Sequence, residues 1–173
     1  YCVSGYIRDR FIEGLKGETD KVHVVYNGLD LPDPATLPSK KQQILFVGRL
    51  KPEKGALEFA EALALLLPKH PDWRGVFIGA MRHQPGAPLG PYDERIREVL
   101  EPLGEQVEMR GFCNFEETMQ ATAESAIAVV PSTWHEAFGR TALEAMACGC
   151  VVVSSTRGGL KEVVGEGAIR MPD

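Results

Sequence analysis

Two pairs of charged side chains stand out by type and spacing. Arg49 and Lys54 lie in the stretch FVGRLKPEKG, residues 46–55, where an apolar run gives way to a helix-forming sequence. Two cations beside the unpaired N–H groups of a helix start suit a phosphate or diphosphate. A lysine in a first helical turn opposes the helix dipole by about 0.3–1 kcal/mol unless an anion offsets it. The competing reading is a pair of solvated surface cations. The stretch is neither a Walker A loop, since Gly55 is not followed by Lys-Ser/Thr, nor a G-x-G-x-x-G turn.

Glu136 and Glu144 form the second pair, in STWHEAFGRTALEAMACG, residues 132–149. They could share one binding site, with Gly139 allowing the backbone to approach a ligand closely. Glu144 has a rival explanation, because Thr141-x-x-Glu144 matches a capping box whose Thr cap contributes about 1 kcal/mol. Helical geometry then predicts a buried face of Leu143, Met146 and Ala147, with Glu144 flanking it. For Glu136 the rival is an exposed loop carboxylate. Spacing alone leaves both readings open. A third stretch, TRGGLKE, residues 156–162, offers Gly158-Gly159 for close backbone approach and places Glu162 in the turn that follows.

Other chemistries lack their residues. In HEAFG, at 135–139, a glycine stands where a zinc-protease helix needs its second histidine, so His135 reads as a loop or structural residue. G-x-S-x-G is absent, as is an Asp-x-Asp pair to hold a metal on a diphosphate. Cys2, Cys113, Cys148 and Cys150 form no zinc-type pairs, so no metal is expected, and so few cysteines suit a reducing cytoplasm.

The elements that must position these residues alternate regularly. ILFVG (44–48), GVFIGA (75–80), QVEMRG (106–111), AIAVVP (126–131) and CVVVSS (150–155) read as strands, the first of them a short, fully apolar run of the kind buried on both faces. Between them, Ala56, Phe59, Ala60, Leu63 and Leu67 repeat at helical spacing up to Pro68, and Ile96, Val99, Leu100 and Leu103 do the same. Asn114 and Glu117 form a capping box opening a helix through about Ala123. The Glu136–Glu144 segment supplies another helix, and a short one over 159–164 precedes AIRM. Upstream, a helix is expected near Ser4 to Leu15 and a strand in KVHVVYNG, residues 21–28. LPDPATLPSKKQQ, residues 31–43, reads as a linker. The predicted class is α/β, a Rossmann-like parallel sheet with helices on both faces. In such sheets ligands gather at the carboxyl ends of strands, which selects the loops after Gly48, Gly79, Gly111, Pro131 and Ser154.

Composition bounds the alternatives. With 173 residues, 44% apolar and 25% charged, the chain can bury a globular core. A net charge of -5 without blocks of like charge argues against a nucleic-acid partner. The chain lacks an initiator Met and opens and closes beside expected strands, which reads as a piece of a longer protein.

In order and spacing, NGLD, FVGRLKPEKG, PSTWHEAFGRTALEAMACG and VVVSSTRGGLKEVVG resemble the C-terminal domain of retaining group-one nucleotide-sugar glycosyltransferases, one half of a GT-B two-domain architecture. The resemblance runs from about residue 22 to the end. It implies that residues 1–37 are the tail of an N-terminal acceptor domain plus linker, and 38–173 the nucleotide-sugar-binding domain, truncated at its C-terminus. Glu136, Arg49 and Lys54 would then be the catalytic residues: the two cations neutralise the donor diphosphate and Glu136 faces the transferred sugar. Phe138, Gly139 and Arg140 would offer backbone N–H groups, Glu144 would accept the ribose hydroxyls, and Phe112 and Cys113 would lie near the base.

The implied substrate is a UDP-, GDP- or ADP-sugar with no metal or cofactor. The acceptor would be a saccharide or lipid-linked molecule, bound through the N-terminal domain. The resemblance also implies a cytoplasmic role in polysaccharide biosynthesis and allows peripheral membrane association of the full-length protein. Arg140 and Cys150-Val151 depart from the family's usual residues at those positions. The alternatives on the same architecture are a nucleotide-sugar epimerase, a pyridoxal-dependent phosphorylase with Lys54 or Lys161, and a non-catalytic nucleotide-binding domain.

Overall fold

The computed structural model describes residues 1–17, 19–79 and 90–172. Six parallel strands form one sheet: β1 (Lys41–Val47), β2 (Arg74–Ile78), β3 (Val107–Gly111), β4 (Ser125–Val130), β5 (Val151–Ser154) and β6 (Ile169–Arg170). Their spatial order is β3-β2-β1-β4-β5-β6. The helices are α1 (Gly5–Glu13), α2 (Ala56–Leu66), α3 (Pro91–Leu100), α4 (Phe115–Glu124), α5 (Arg140–Ala147) and α6 (Leu160–Val164). The Rossmann-like sheet expected from the alternation is therefore present.

Side chains alternate across the sheet and bury on both sides. Phe46 of β1 and Phe77 of β2, register partners, meet Phe59 of α2, with ring centroids 4.8–5.8 Å apart. Ile96 and Leu100 of α3 close this cluster. Burying each such ring contributes roughly 1.5–3 kcal/mol. On the opposite face Leu45, Val76 and Ile78 pack against Ala121 of α4. Ala128, Val130 and Val152 pack against Ala142 and Ala145 of α5 and Leu160 and Val164 of α6.

Local signals explain the element ends. Asn114 Oδ1 accepts from the Glu117 N–H at 2.9 Å, while Glu117 returns the bond to the Asn114 N–H at 2.8 Å, so the expected capping box opens α4. Pro91 occupies the first position of α3. Pro68 lies in a 3₁₀ turn, Leu67–Lys69, that follows α2.

Three expectations need correction. Residues 21–28 form no strand: the stretch contributes one isolated bridge, Cys2 with Val24, because it has no further partner to ladder against among the described residues. β1 starts at Lys41, three positions before residue 44, since its first residues pair with β2 and β4 despite being polar. The buried face of α5 is Ala142 and Ala145, with Leu143, Met146 and Ala147 half-buried. Alanines let this helix lie close to the sheet. The loop expected after Gly79 falls in residues 80–89, outside the described residues.

The N-terminal segment is tied to the far end of the chain. Ser4 caps α1, accepting from the Ile7 N–H at 3.1 Å, and its hydroxyl donates to the Ala137 carbonyl at 2.6 Å. Glu162 accepts from the N–H groups of Gly5 and Tyr6, both at 2.7 Å, and from the Tyr26 hydroxyl at 3.0 Å. No helix among the described residues is long and apolar enough to cross a membrane.

Candidate functional site

From β1 the chain builds outward in one direction through β2 and β3, and then returns to lay β4 on the other side of β1. This reversal opens a crevice beyond the carboxyl ends of β1 and β4, the place where ligands bind in doubly wound sheets. A cleft of about 300 Å³ occupies it, lined by Phe46–Gly48, Lys54, Val129–Ser132 and Glu136–Thr141.

The two loops at its mouth are clamped together. After β1, Pro52–Lys54 form a 3₁₀ turn and Gly55 follows at φ 71°. A Cβ on Gly55 would sit 2.0 Å from the Pro131 carbonyl oxygen, so only glycine fits there. The Thr133 N–H donates to the Glu53 carbonyl at 3.2 Å, and the Thr133 hydroxyl donates to the Pro52 carbonyl at 2.8 Å. The clamp sets Lys54 Nζ 2.5 Å from Glu136 Oε1, with side chains 27% and 19% exposed. The Ser132 hydroxyl donates to the same oxygen at 2.6 Å.

Lys54 thus stands in a separate turn before α2, which starts at Ala56, and not in the helix's first turn as expected. The anion that offsets its charge is Glu136. Arg49 adjoins Gly48 but lies outside the cleft lining. Its guanidinium, half exposed, is 3.7 Å from the Glu53 carboxylate.

The segment from Glu136 to Glu144 is shaped by tertiary contact. The main chain of Glu136 bridges to Gly158, with the Glu136 N–H donating to the Arg157 carbonyl at 3.3 Å and the Gly159 N–H donating to the Glu136 carbonyl at 2.7 Å. A Cβ on Gly158 would meet the Glu136 carbonyl oxygen at 2.4 Å, and one on Gly159 the Ala137 carbonyl oxygen at 2.5 Å. These glycines admit the chain's own backbone, where the sequence had suggested room for a ligand. Gly139 likewise makes room for Leu160, whose Cδ2 would lie 2.4 Å from an added Cβ.

Gly139, at φ 109°, is also the N-cap of α5, and no side chain caps that end. The Thr141–Glu144 capping box is therefore absent: the helix begins at Arg140, which places Thr141 inside it and Glu144 beyond the first turn. Glu144 instead accepts from Arg140 at 3.1 Å, one helical turn away, with the carboxylate side chain 15% exposed and the guanidinium open to solvent. It lines a small adjoining void that shares Val47, Val129 and Thr141 with the main cleft.

Of the residues singled out in the sequence, the structure brings Lys54, Glu136, Phe138, Gly139 and Arg140 to one cleft. Glu144 reaches it through Arg140 and Thr141. The Phe138 side chain is buried and packs beside Tyr26, ring centroids 6.1 Å apart. Phe112 is 82% exposed beyond β3, and Cys113 packs against the Leu45–Val76 cluster. Neither lines the cleft. His135 stacks on Tyr6 at 5.5 Å. Burial pushes the Cys148 and Cys150 thiols up, which keeps them protonated.

Two residues with structural or site roles went unread in sequence. Ser132 carries no spacing signal. Glu162 reads in sequence as a turn residue, yet it holds the start of α1. Burial acts to raise its pKa, but the Gly5 and Tyr6 N–H groups and the Tyr26 hydroxyl outweigh that and hold the carboxyl below its ordinary value.

Comparison with known proteins places this arrangement in a family. A relative, D-inositol 3-phosphate glycosyltransferase from Corynebacterium jeikeium, is 34% identical over 90% of the chain and 40% of its own length. Among solved structures, Anabaena HepE in complex with UDP superposes with a TM-score of 0.80 at 25% identity, over 98% of this chain and 48% of that one. The C-terminal domain of LpcC from Francisella tularensis, a group 1 family protein, superposes at 0.64 with 29% identity, over 79% of this chain and 70% of that one. The chain spans between 39% and 48% of the length of the first curated relatives it matches. The family model described as glycosyl transferases group 1 matches residues 30–171, the stretch that contains the sheet, the switch-point cleft and the Lys54–Glu136 pair; the chain belongs to that family.

Proposed function

We propose that this chain is the donor-binding half of a retaining glycosyltransferase that moves a hexose from a nucleoside diphosphate sugar to a saccharide or lipid-linked acceptor. The observation that carries the reading is the meeting of Lys54 and Glu136 at the mouth of the switch-point cleft. HepE, which shares the fold, was crystallised with UDP and glucose, and with UDP-glucose.

In this reading Lys54 and Arg49 neutralise the diphosphate. As the glycosidic bond breaks, its electron pair passes to the diphosphate, so negative charge there grows. Cations already in place stabilise that state more than the ground state. Glu136 accepts hydroxyl hydrogens of the sugar, and Glu144, steadied by Arg140, accepts those of the ribose. Phe138, Gly139 and Arg140 line the same cleft, and their main-chain N–H groups serve phosphate and sugar in this reading. The reading calls for no metal, because the basic pair carries the charge. The acceptor site belongs to the remainder of a longer protein, so the isolated chain binds nucleotide without transferring sugar.

Thermal-shift screening against UDP, GDP and ADP sugars tests the reading. One of them should raise the melting temperature in a saturable manner. No shift with any of the three would overturn it.

A further inference from the structure

We propose that Ser132 is a positioning residue for Glu136, an inference that rests on the donor-site reading above. Ser132 is 3% exposed, and its hydroxyl donates to Glu136 Oε1 at 2.6 Å. A buried hydroxyl needs a partner, and here that partner is the carboxylate proposed to face the sugar.

The main chain of Glu136 is already fixed by its bridge to Gly158. The freedom that remains is rotation of the side chain. Lys54 and Ser132 both bond Oε1, and none of the described residues donates to Oε2. Two donors on one oxygen fix the carboxylate and leave the other oxygen to accept ligand hydroxyls.

The two donors are not equivalent once a donor sugar binds. A diphosphate attracts the Lys54 ammonium, and its flexible stem lets it follow. The Ser132 hydroxyl is neutral and buried, two residues past the end of β4. It has no charge to be drawn away, so Ser132 is the anchor that holds Glu136 while Lys54 serves the phosphate.

Calorimetry on the full-length protein tests this with UDP against UDP-glucose, GDP against GDP-glucose and ADP against ADP-glucose. The quantity read is the ratio of the affinity of the sugar nucleotide to that of the bare nucleotide, for whichever pair binds. Ser132→Ala should lower this ratio by about tenfold or more, the effect of losing a hydrogen bond to a charged group. Affinity for the bare nucleotide should stay within about twofold. Ser132→Cys, which keeps the volume and weakens the donor, should change the ratio in the same direction, and Ser132→Thr should restore most of it.

In a Glu136→Gln background, Ser132→Ala should change the ratio by less than about twofold, because Ser132 acts through that carboxylate. Equal losses for nucleotide and sugar nucleotide, or losses that multiply in the double variant, would overturn the assignment. If the wild-type protein binds none of the pairs, the donor-site reading fails and this inference falls with it.

Discussion

The ammonium of Lys54 lies 2.5 Å from Oε1 of Glu136, although the two residues are 82 positions apart in sequence. Neither residue's own loop creates this pair. It arises because parallel β1 and β4 end side by side at the switch point, and because Gly55 lets the loop after β1 rest on Pro131. Replacing Lys54 with methionine removes the cation but keeps most of the length of the side chain. It should reduce affinity for the nucleoside diphosphate about tenfold or more, since a charge-assisted contact to phosphate is lost and Glu136 is left facing the anion. Titration calorimetry checks this. Arg49→Gln should cost less, because Arg49 stands outside the cleft lining and shares its charge with Glu53.

Gly55→Ala should be costly for both stability and binding. A side chain at φ 71° is strained, and its Cβ would collide with a main-chain oxygen, which cannot rotate aside. We expect a loss of about 2–3 kcal/mol, from the left-handed conformation and the steric clash together. Chemical denaturation would show it as a lowered midpoint. Weaker nucleotide binding should accompany it, because the turn that carries Lys54 must move.

Asn114→Ala provides a contrast. It removes one half of the capping box of α4 at a residue outside the cleft lining. Stability should fall by about 1 kcal/mol, with nucleotide affinity unchanged. A change in affinity comparable to that of Lys54→Met would show that the two regions are coupled, against this account.

The Glu162 clasp on α1 should be sensitive to acid. A carboxyl held below its ordinary value in the folded state contributes stability above its unfolded value, about 4.3, and loses that contribution as pH falls through the folded value. Hydrogen exchange at the Gly5 and Tyr6 amides, corrected for intrinsic rates, should therefore be protected near neutrality and lose that protection in acid, as pH falls through the depressed value of Glu162. In Glu162→Ala these amides should be poorly protected at every pH. Equal protection in the variant would mean that the carboxylate does not hold the helix start.

Where a signal is local, the sequence carried it; where it depends on distant chain, it did not. The Asn114–Glu117 box is complete within four residues and reads true in the structure. Thr141-x-x-Glu144 has the same pattern, but Gly139 packing against Leu160 starts the helix one residue before Thr141 and leaves the box unmade. Among the described residues, the strand pattern of 21–28 had nothing to pair with beyond Cys2. The apolar run 44–48 was legible as a strand because burial on both faces demands that composition. Lys54 and Glu136 were recognisable by type and position, and their direct contact was not, since it depends on the order of strands in the sheet. Ser132 had no legible signal, being a single serine two residues past the end of a strand. The glycines at 139, 158 and 159 were visible as special, but the close neighbours they admit are other segments of the chain.

The most direct test of the central claim is titration of the nucleoside diphosphate sugar that stabilises the wild-type protein into wild-type and Lys54→Glu proteins side by side. Saturable binding to the wild type and none to the charge-reversed variant, with both folded by circular dichroism, is the predicted result. Equal affinity in the two would contradict a diphosphate site at the Lys54–Glu136 cleft.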